Sequence, residues 1–100
     1  MEKNNNIITF PLNISFEMVS SYLKRFERES HNSSIIFDLS KTETIHSSFI
    51  GFLIHAKQKT EKGGGKLTII ISPSMERIFI MLNIIEYLTC VSSKNLYSIV

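Results

Sequence analysis

The sequence Ile45-His46-Ser47-Ser48-Phe49-Ile50-Gly51 joins an apolar, strand-like run to a helix-like run that starts near Ser48. Two hydroxyls therefore stand at or beside a helix start. The first turn of a helix carries unpaired N–H groups and a partial positive charge, both of which suit a phosphate. A phosphoserine at this point would gain charge-assisted hydrogen bonds. The pattern predicts that Ser48 lies where a phosphate would be stabilised.

The rest of the chain alternates apolar runs of strand length with amphipathic runs of helix length. The predicted strands are Ile7–Phe10, Ser34–Leu39 and Leu67–Ile71, and the predicted helices are about Ser15–Glu29, about Ser48–Lys62, one starting at Pro73 and a short turn at Ile85–Leu88. Phe16, Val19, Leu23 and Phe26 predict the apolar stripe of the first helix. The continuous apolar strands are typical of strands covered on both faces, and the run Gly63-Gly64-Gly65 predicts a left-handed helix end.

This alternation predicts a single α/β domain over residues 1–100, with residues 1–6 frayed. We expect a mixed, mainly parallel sheet of four to five strands, packed with three to four helices. Residues 30–33 are predicted to form a loop, and the tail from Cys90 to Val100 to add one or two short strands.

Composition narrows the functional classes. The 100 residues carry a net charge of only +2, with 43% hydrophobic and 20% charged residues, which is typical of a globular domain and shows no nucleic-acid footprint. No apolar run reaches the roughly 20 residues of a membrane span, and the first residues lack a signal-peptide layout. Cys90 is the only cysteine, which excludes an internal disulfide. The expectation is a cytoplasmic protein without membrane or nucleic-acid partners.

The ordered motifs resemble those of STAS domains, and most of all the bacterial anti-sigma factor antagonists. Residues 36–40 and 45–51 are similar to that family's strand and Asp-Ser-Ser-Gly-Leu-Gly signature. The resemblance continues through Gly63–Gly65, the strand at 66–71 and Ser72-Pro73, and ends on residues 82–88. It covers nearly the whole chain, with the family's first hairpin shortened.

The resemblance implies a regulatory partner switch with no turnover and no cofactor of its own. In the family, the second serine of the pair is phosphorylated by a serine kinase that is also an anti-sigma factor. The unphosphorylated form binds that kinase, and a PP2C-type phosphatase restores the serine. Carried over by position, Ser48 is the phospho-acceptor. The partner-binding residues are then His46, Ser47, Ser48, Phe49, Ile50 and Phe52.

This sequence departs from the family pattern at two positions: His46 stands for the usual aspartate, and Phe49 for the usual glycine. They favour an alternative, a STAS scaffold or small-ligand sensor that is not phosphorylated. Ser47 and Ser48 are also residues that simply cap helices. The apolar helix after Ser48 is consistent either with burial on two sides or with an exposed patch that docks a partner, and we expect the patch.

Other chemistries have weaker support. His46 beside Ser48 permits a serine hydrolase, but the G-x-S-x-G elbow is missing, so we expect no enzyme activity. Residues 63–65 follow a helix instead of a strand, which argues against a phosphate loop. His31, His46 and His55 lack metal-ligand spacing, so no metal site is expected.

Overall fold

The computed structural model describes residues 6–28 and 34–93, and it confirms the α/β class. Its elements in chain order are β1 Asn6–Thr9, β2 Asn13–Ile14, α1 Phe16–Glu27, β3 Ser34–Leu39, β4 Thr44–Ile45, α2 Ser48–Lys62, β5 Lys66–Ile71, α3 Pro73–Met81, α4 Ile85–Leu88 and β6 Cys90–Ser92. The predicted loop at 30–33, the first five residues and the tail after Ser93 lie outside the described residues.

The main sheet has the strand order β1-β3-β5-β6, and its three pairings are all parallel. A second, short parallel pair joins β2 to β4, with Ile14 opposite Ile45. This pair holds the residues that lead into α1 against those that lead into α2. A further backbone bond, from His46 N–H to the Ile14 carbonyl at 2.9 Å, extends it to the start of α2.

The core lies on one face of the main sheet. Alternate side chains of β3 and β5 are fully buried and form one cluster with residues from all four helices. The side chains between them, such as Ile36 and Ile70, are only half-buried. The prediction of strands covered on both faces therefore holds for one face only. β-Branched residues favour a strand whether that strand is covered on one face or on both, so the sequence pattern does not distinguish the two arrangements.

The apolar stripe of α1 is wider than the part that packs. Phe26 is buried, and Met18, Val19 and Tyr22 pack against the core. Phe16 and Leu23, which belong to the same predicted stripe, are 62% and 38% exposed. The predicted amphipathic helix is therefore present, but only part of its apolar stripe reaches the core.

The start of α3 and the end of α2 follow the capping signals of the sequence. The hydroxyl of Ser72 accepts the Met75 N–H at 3.2 Å, and Pro73 occupies the first turn of α3, as predicted. At the end of α2 the left-handed residue is Gly64, with φ +90°, whereas Gly63 has φ −82°. The left-handed end predicted from the run Gly63–Gly65 is thus confirmed at Gly64, where a non-glycine residue would be strained.

A buried lysine fastens α2 to α4. The Lys57 ammonium donates to Glu61 at 2.6 Å and to the Thr89 hydroxyl at 3.1 Å, and it lies 5.6 Å from the centre of the Tyr87 ring. Its long stem is apolar, so the side chain can be buried while the charge stays paired. Among the described helices, none is long and apolar enough to cross a membrane.

Candidate functional site

Ser48 is the first residue of α2, and the structure places it on the surface as a half-buried side chain. Ser47 precedes it with helical backbone angles and is exposed. The Ser47 hydroxyl makes no capping hydrogen bond. The two serines therefore differ: one hydroxyl faces solvent, and the other is held by a neighbour.

That neighbour is His46. Its Nδ1 atom lies 2.9 Å from the Ser48 hydroxyl and accepts the Ser48 backbone N–H at 3.1 Å. An imidazole nitrogen that accepts an N–H carries no proton, so the ring proton is on Nε2. The hydroxyl then donates to the same Nδ1. His46 Nδ1 thus contacts both donors of Ser48, its hydroxyl and its backbone N–H.

His46 is the residue that caps α2. Besides its ring, its carbonyl accepts the Phe49 N–H at 2.9 Å, while the Ser47 carbonyl accepts the Ile50 N–H at 3.1 Å. Capping by the serine hydroxyls, which the sequence left open, is not what the structure contains. Sequence reasoning missed the histidine because side-chain oxygens, not imidazoles, dominate helix caps.

The residues predicted to bind a partner divide into two groups. His46 and Ser47 are exposed, and Ser48 and Ile50 are half-buried. Phe49 is fully buried and its ring contacts Phe10 in the core, so this ring offers no exposed surface to a partner. Phe52 is 5% exposed: its ring packs on Phe26 and Phe37, and its exposed edge lines a surface groove. Partner binding by the other predicted residues stays a prediction.

An apolar groove runs along the seam between α1 and α2. It has a volume of about 320 Å³ and is lined by Val19, Leu23, Glu27, Ser48, Gly51, Phe52 and His55. Ser48 stands at one end. Beside it, the edge of the exposed Phe16 ring meets the His46 ring at a centroid distance of 5.2 Å, which extends the apolar surface beyond the serine.

The other end of the groove is an ionic bridge between the two helices. Glu27 of α1 binds His55 Nε2 at 2.6 Å and lies 3.7 Å from the Lys59 ammonium. These side chains are each about two-fifths exposed, so the bridge sets the shape of the groove more than the stability of the fold. Sequence reasoning missed the α1 wall, although Val19 and Leu23 both belong to the predicted apolar stripe of that helix.

The site offers a hydroxyl and an imidazole but little else for chemistry. Within residues 6–28 and 34–93, no group of three or more histidine, cysteine or acidic side chains could hold a metal ion. The His46 Nδ1 atom is already shared by two donors of Ser48. A nucleophilic serine needs an adjacent histidine as its base. It also needs a third group that orients that histidine.

Neither a scan against protein-family models nor a search of curated proteins returned a match for this chain. What the structure establishes is a small α/β fold with a parallel sheet, in which a serine begins the second long helix.

Proposed function

We propose that this chain is a STAS-like, non-enzymatic regulatory module that acts as an anti-sigma factor antagonist in a phosphorylation-controlled partner switch. Its phospho-acceptor is Ser48. The observation that carries the proposal is the position of this residue: a hydroxyl at the first residue of α2, half-exposed, at the mouth of an apolar groove. The motif resemblance supplies the class of partner, a serine kinase that is also an anti-sigma factor.

A phosphate on Ser48 would change this surface strongly. It brings a charge of about −1.5 to −2 at neutral pH, placed where the dipole of α2 favours negative charge. The side chain would stay ordered, while an apolar groove would gain a dianion at its end. A partner that docks on the unphosphorylated surface would then meet a hydrated charge in place of a hydroxyl. In the proposed switch, this added charge is what weakens partner binding after phosphorylation.

The two departures from the family pattern are compatible with this role. The Phe49 ring is buried, so its bulk points into the core and leaves the kinase side of α2 open. His46 accepts the Ser48 N–H, which is the kind of bond a carboxylate at this position makes in an N-cap. The substitution of histidine for aspartate therefore keeps an acceptor at the helix start while removing a charge.

Intact-mass spectrometry tests the proposal directly. The protein is incubated with ATP and the purified serine kinase encoded nearest to it. We expect a mass gain of one phosphate, which is lost in Ser48→Ala and kept in Ser47→Ala, the matched variant with an exposed hydroxyl. A phosphate that survives in Ser48→Ala, or the absence of both phosphate and complex, would refute the role.

The second candidate is a STAS scaffold or small-ligand sensor that is not phosphorylated. The observation that favours it is the engagement of the Ser48 hydroxyl, which His46 already holds. A groove of about 320 Å³ also lies within the size range of small-molecule pockets. Ser48→Glu separates the candidates: a switch predicts at least tenfold weaker binding of the kinase, and a constitutive scaffold predicts unchanged binding.

A further inference from the structure

Gly51 has no structural reason to be glycine within the described chain. It lies inside α2, where glycine is less favourable than alanine. A Cβ atom built on it would meet nothing within 4 Å, and Gly51 is exposed on the wall of the groove. A bare backbone at an open surface permits another backbone to come unusually close. The residue is therefore suited to contact with something outside this chain.

The apolar surface around Gly51 has a shape that accommodates a helix. From Ser48 to His55 the wall of α2 covers eight residues, a rise of about 10 Å or two helical turns. Val19 and Leu23 form the facing wall, one turn apart. Leu23 and Phe16 leave much of their surface in water. Two turns of apolar contact between two helices match the face of a third amphipathic helix.

The charges near the far end of the groove are mostly positive. Glu27 is paired with His55 and lies near Lys59. Lys24 and Arg28 are exposed on α1 within one turn of Glu27, and Lys62 is exposed on α2 within one turn of Lys59. Among the described residues of this region, these four cations outnumber the two carboxylates Glu27 and Glu61, and Glu61 is already bound by Lys57. A partner with acidic flanks would complement this surface, whereas a basic one would be repelled.

We propose that the α1/α2 groove binds an amphipathic helix of the partner protein, with its apolar face on Val19, Leu23 and Phe52, its backbone crossing α2 at Gly51, and acidic flanks near Lys24 and Lys59. This inference rests on the proposed function for the identity of the partner. It also gives a reason for release: phosphorylated Ser48 places a hydrated dianion beside the apolar face of the bound helix, at the end of the groove opposite its acidic flanks.

Two substitutions of Gly51 test the groove without touching Ser48. Gly51→Leu fills the groove, and the free space around the Cβ position lets the side chain enter without disturbing the core. Gly51→Ala is the matched control, since it adds a single methyl group and the same improvement in helix propensity. Both variants should be folded and at least as stable as the parent, as checked by urea unfolding.

Binding of the purified neighbouring kinase is measured by calorimetry for the parent and both variants. We expect Gly51→Ala to stay within about threefold of the parent and Gly51→Leu to lose at least tenfold. Equal binding by all three proteins would overturn the groove inference while leaving the proposed function intact.

If the kinase does not bind at all, the proposed function is refuted. A synthetic peptide then tests the groove inference by itself. The probe is an acidic amphipathic helix of about 14 residues, long enough for two turns of contact with frayed ends. We expect amide shifts in NMR spectra at Val19, Leu23 and Gly51 that disappear in Gly51→Leu and are absent with a lysine-flanked version. No shifts with the acidic peptide would overturn the inference.

Discussion

At the scale of single residues, the conformation of the site depends on the imidazole ring of His46. His46 Nδ1 accepts the Ser48 N–H, whereas the Ser47 hydroxyl makes no capping bond. Loss of an N-cap acceptor typically costs about 1 kcal/mol. We therefore expect His46→Ala to lower the free energy of unfolding by about that amount, as measured by urea denaturation at neutral pH.

Two variants control this prediction. His46→Asp restores an acceptor and adds negative charge at the helix start, so it should match or exceed the parent in stability. Ser47→Ala removes only an exposed hydroxyl and should stay within about 0.5 kcal/mol. If Ser47→Ala were the more damaging substitution, the assignment of the cap to the histidine ring would be wrong.

Cys90 gives a prediction about alkaline pH. Burial raises the pKa of its thiol to about 12, although the nearby Lys57 charge opposes the shift. In the unfolded chain a thiol titrates near 8.5. Between these two values the unfolded chain has released a proton that the folded chain retains, so the free energy of unfolding falls as pH rises through this window and is unaffected below it.

The measurement is a comparison of the parent with Cys90→Ala in urea between about pH 7 and pH 10. We expect the parent to lose more stability over this range than the variant does. Iodoacetamide at about pH 9 should alkylate the native thiol at least tenfold more slowly than the urea-unfolded one. Equal alkylation rates would show that the thiol is exposed in the native protein.

At the scale of elements, the sequence predicted which segments form helices and strands better than it predicted what those segments face. The period of α1 and the cap of α3 follow from local spacing and turn chemistry, and both were correctly predicted. Whether Phe16 or Phe26 of one stripe reaches the core depends on how α1 rolls against α2. That angle is set by tertiary packing, which a periodic pattern does not encode.

The same limit applies to the candidate site. The serine at the start of α2 could be predicted from the motif, because a helix start is a local property. The burial of Phe49 and the contribution of Val19 and Leu23 to a groove could not, since both depend on the packing of α1 against α2. The histidine cap could not either, because its ring has the required acceptor in only one tautomer.

A pair of substitutions in α1 tests this element-scale distinction. Phe26 is 1% exposed and its ring meets Phe37 and Phe52 edge-on, whereas Phe16 is 62% exposed. We expect Phe26→Ala to cost about 3–5 kcal/mol and Phe16→Ala less than about 1 kcal/mol in urea unfolding. Kinase binding should show the reverse order among folded variants, because Phe16 adjoins the site. Comparable losses of stability would mean that Phe16 also packs in the core.

At the scale of the whole molecule, an aromatic cluster connects α2 to the sheet. The Phe49 ring meets Phe10, which follows β1, at 5.3 Å, and Phe52 at 5.5 Å. Phe52 in turn stacks on Phe37 of β3 at 5.7 Å. Phe49, which stands where the STAS signature that this sequence resembles has glycine, is therefore part of the core of this protein. Its ring fixes the position of α2, and with it that of Ser48, relative to the sheet.

Substituting glycine for Phe49 should consequently destabilise the whole fold. Phe49→Gly removes a fully buried ring, which typically costs about 3–5 kcal/mol, and adds about 1 kcal/mol for glycine within a helix. Domains of this size are stable by only about 5–15 kcal/mol, so we expect cooperative unfolding at much lower urea and a partly unfolded population without denaturant. Phe49→Leu keeps most of the apolar volume and should lose less than half as much. A Phe49→Gly protein as stable as the leucine variant would show that the core closes around the vacated space, and that the ring is not what positions Ser48.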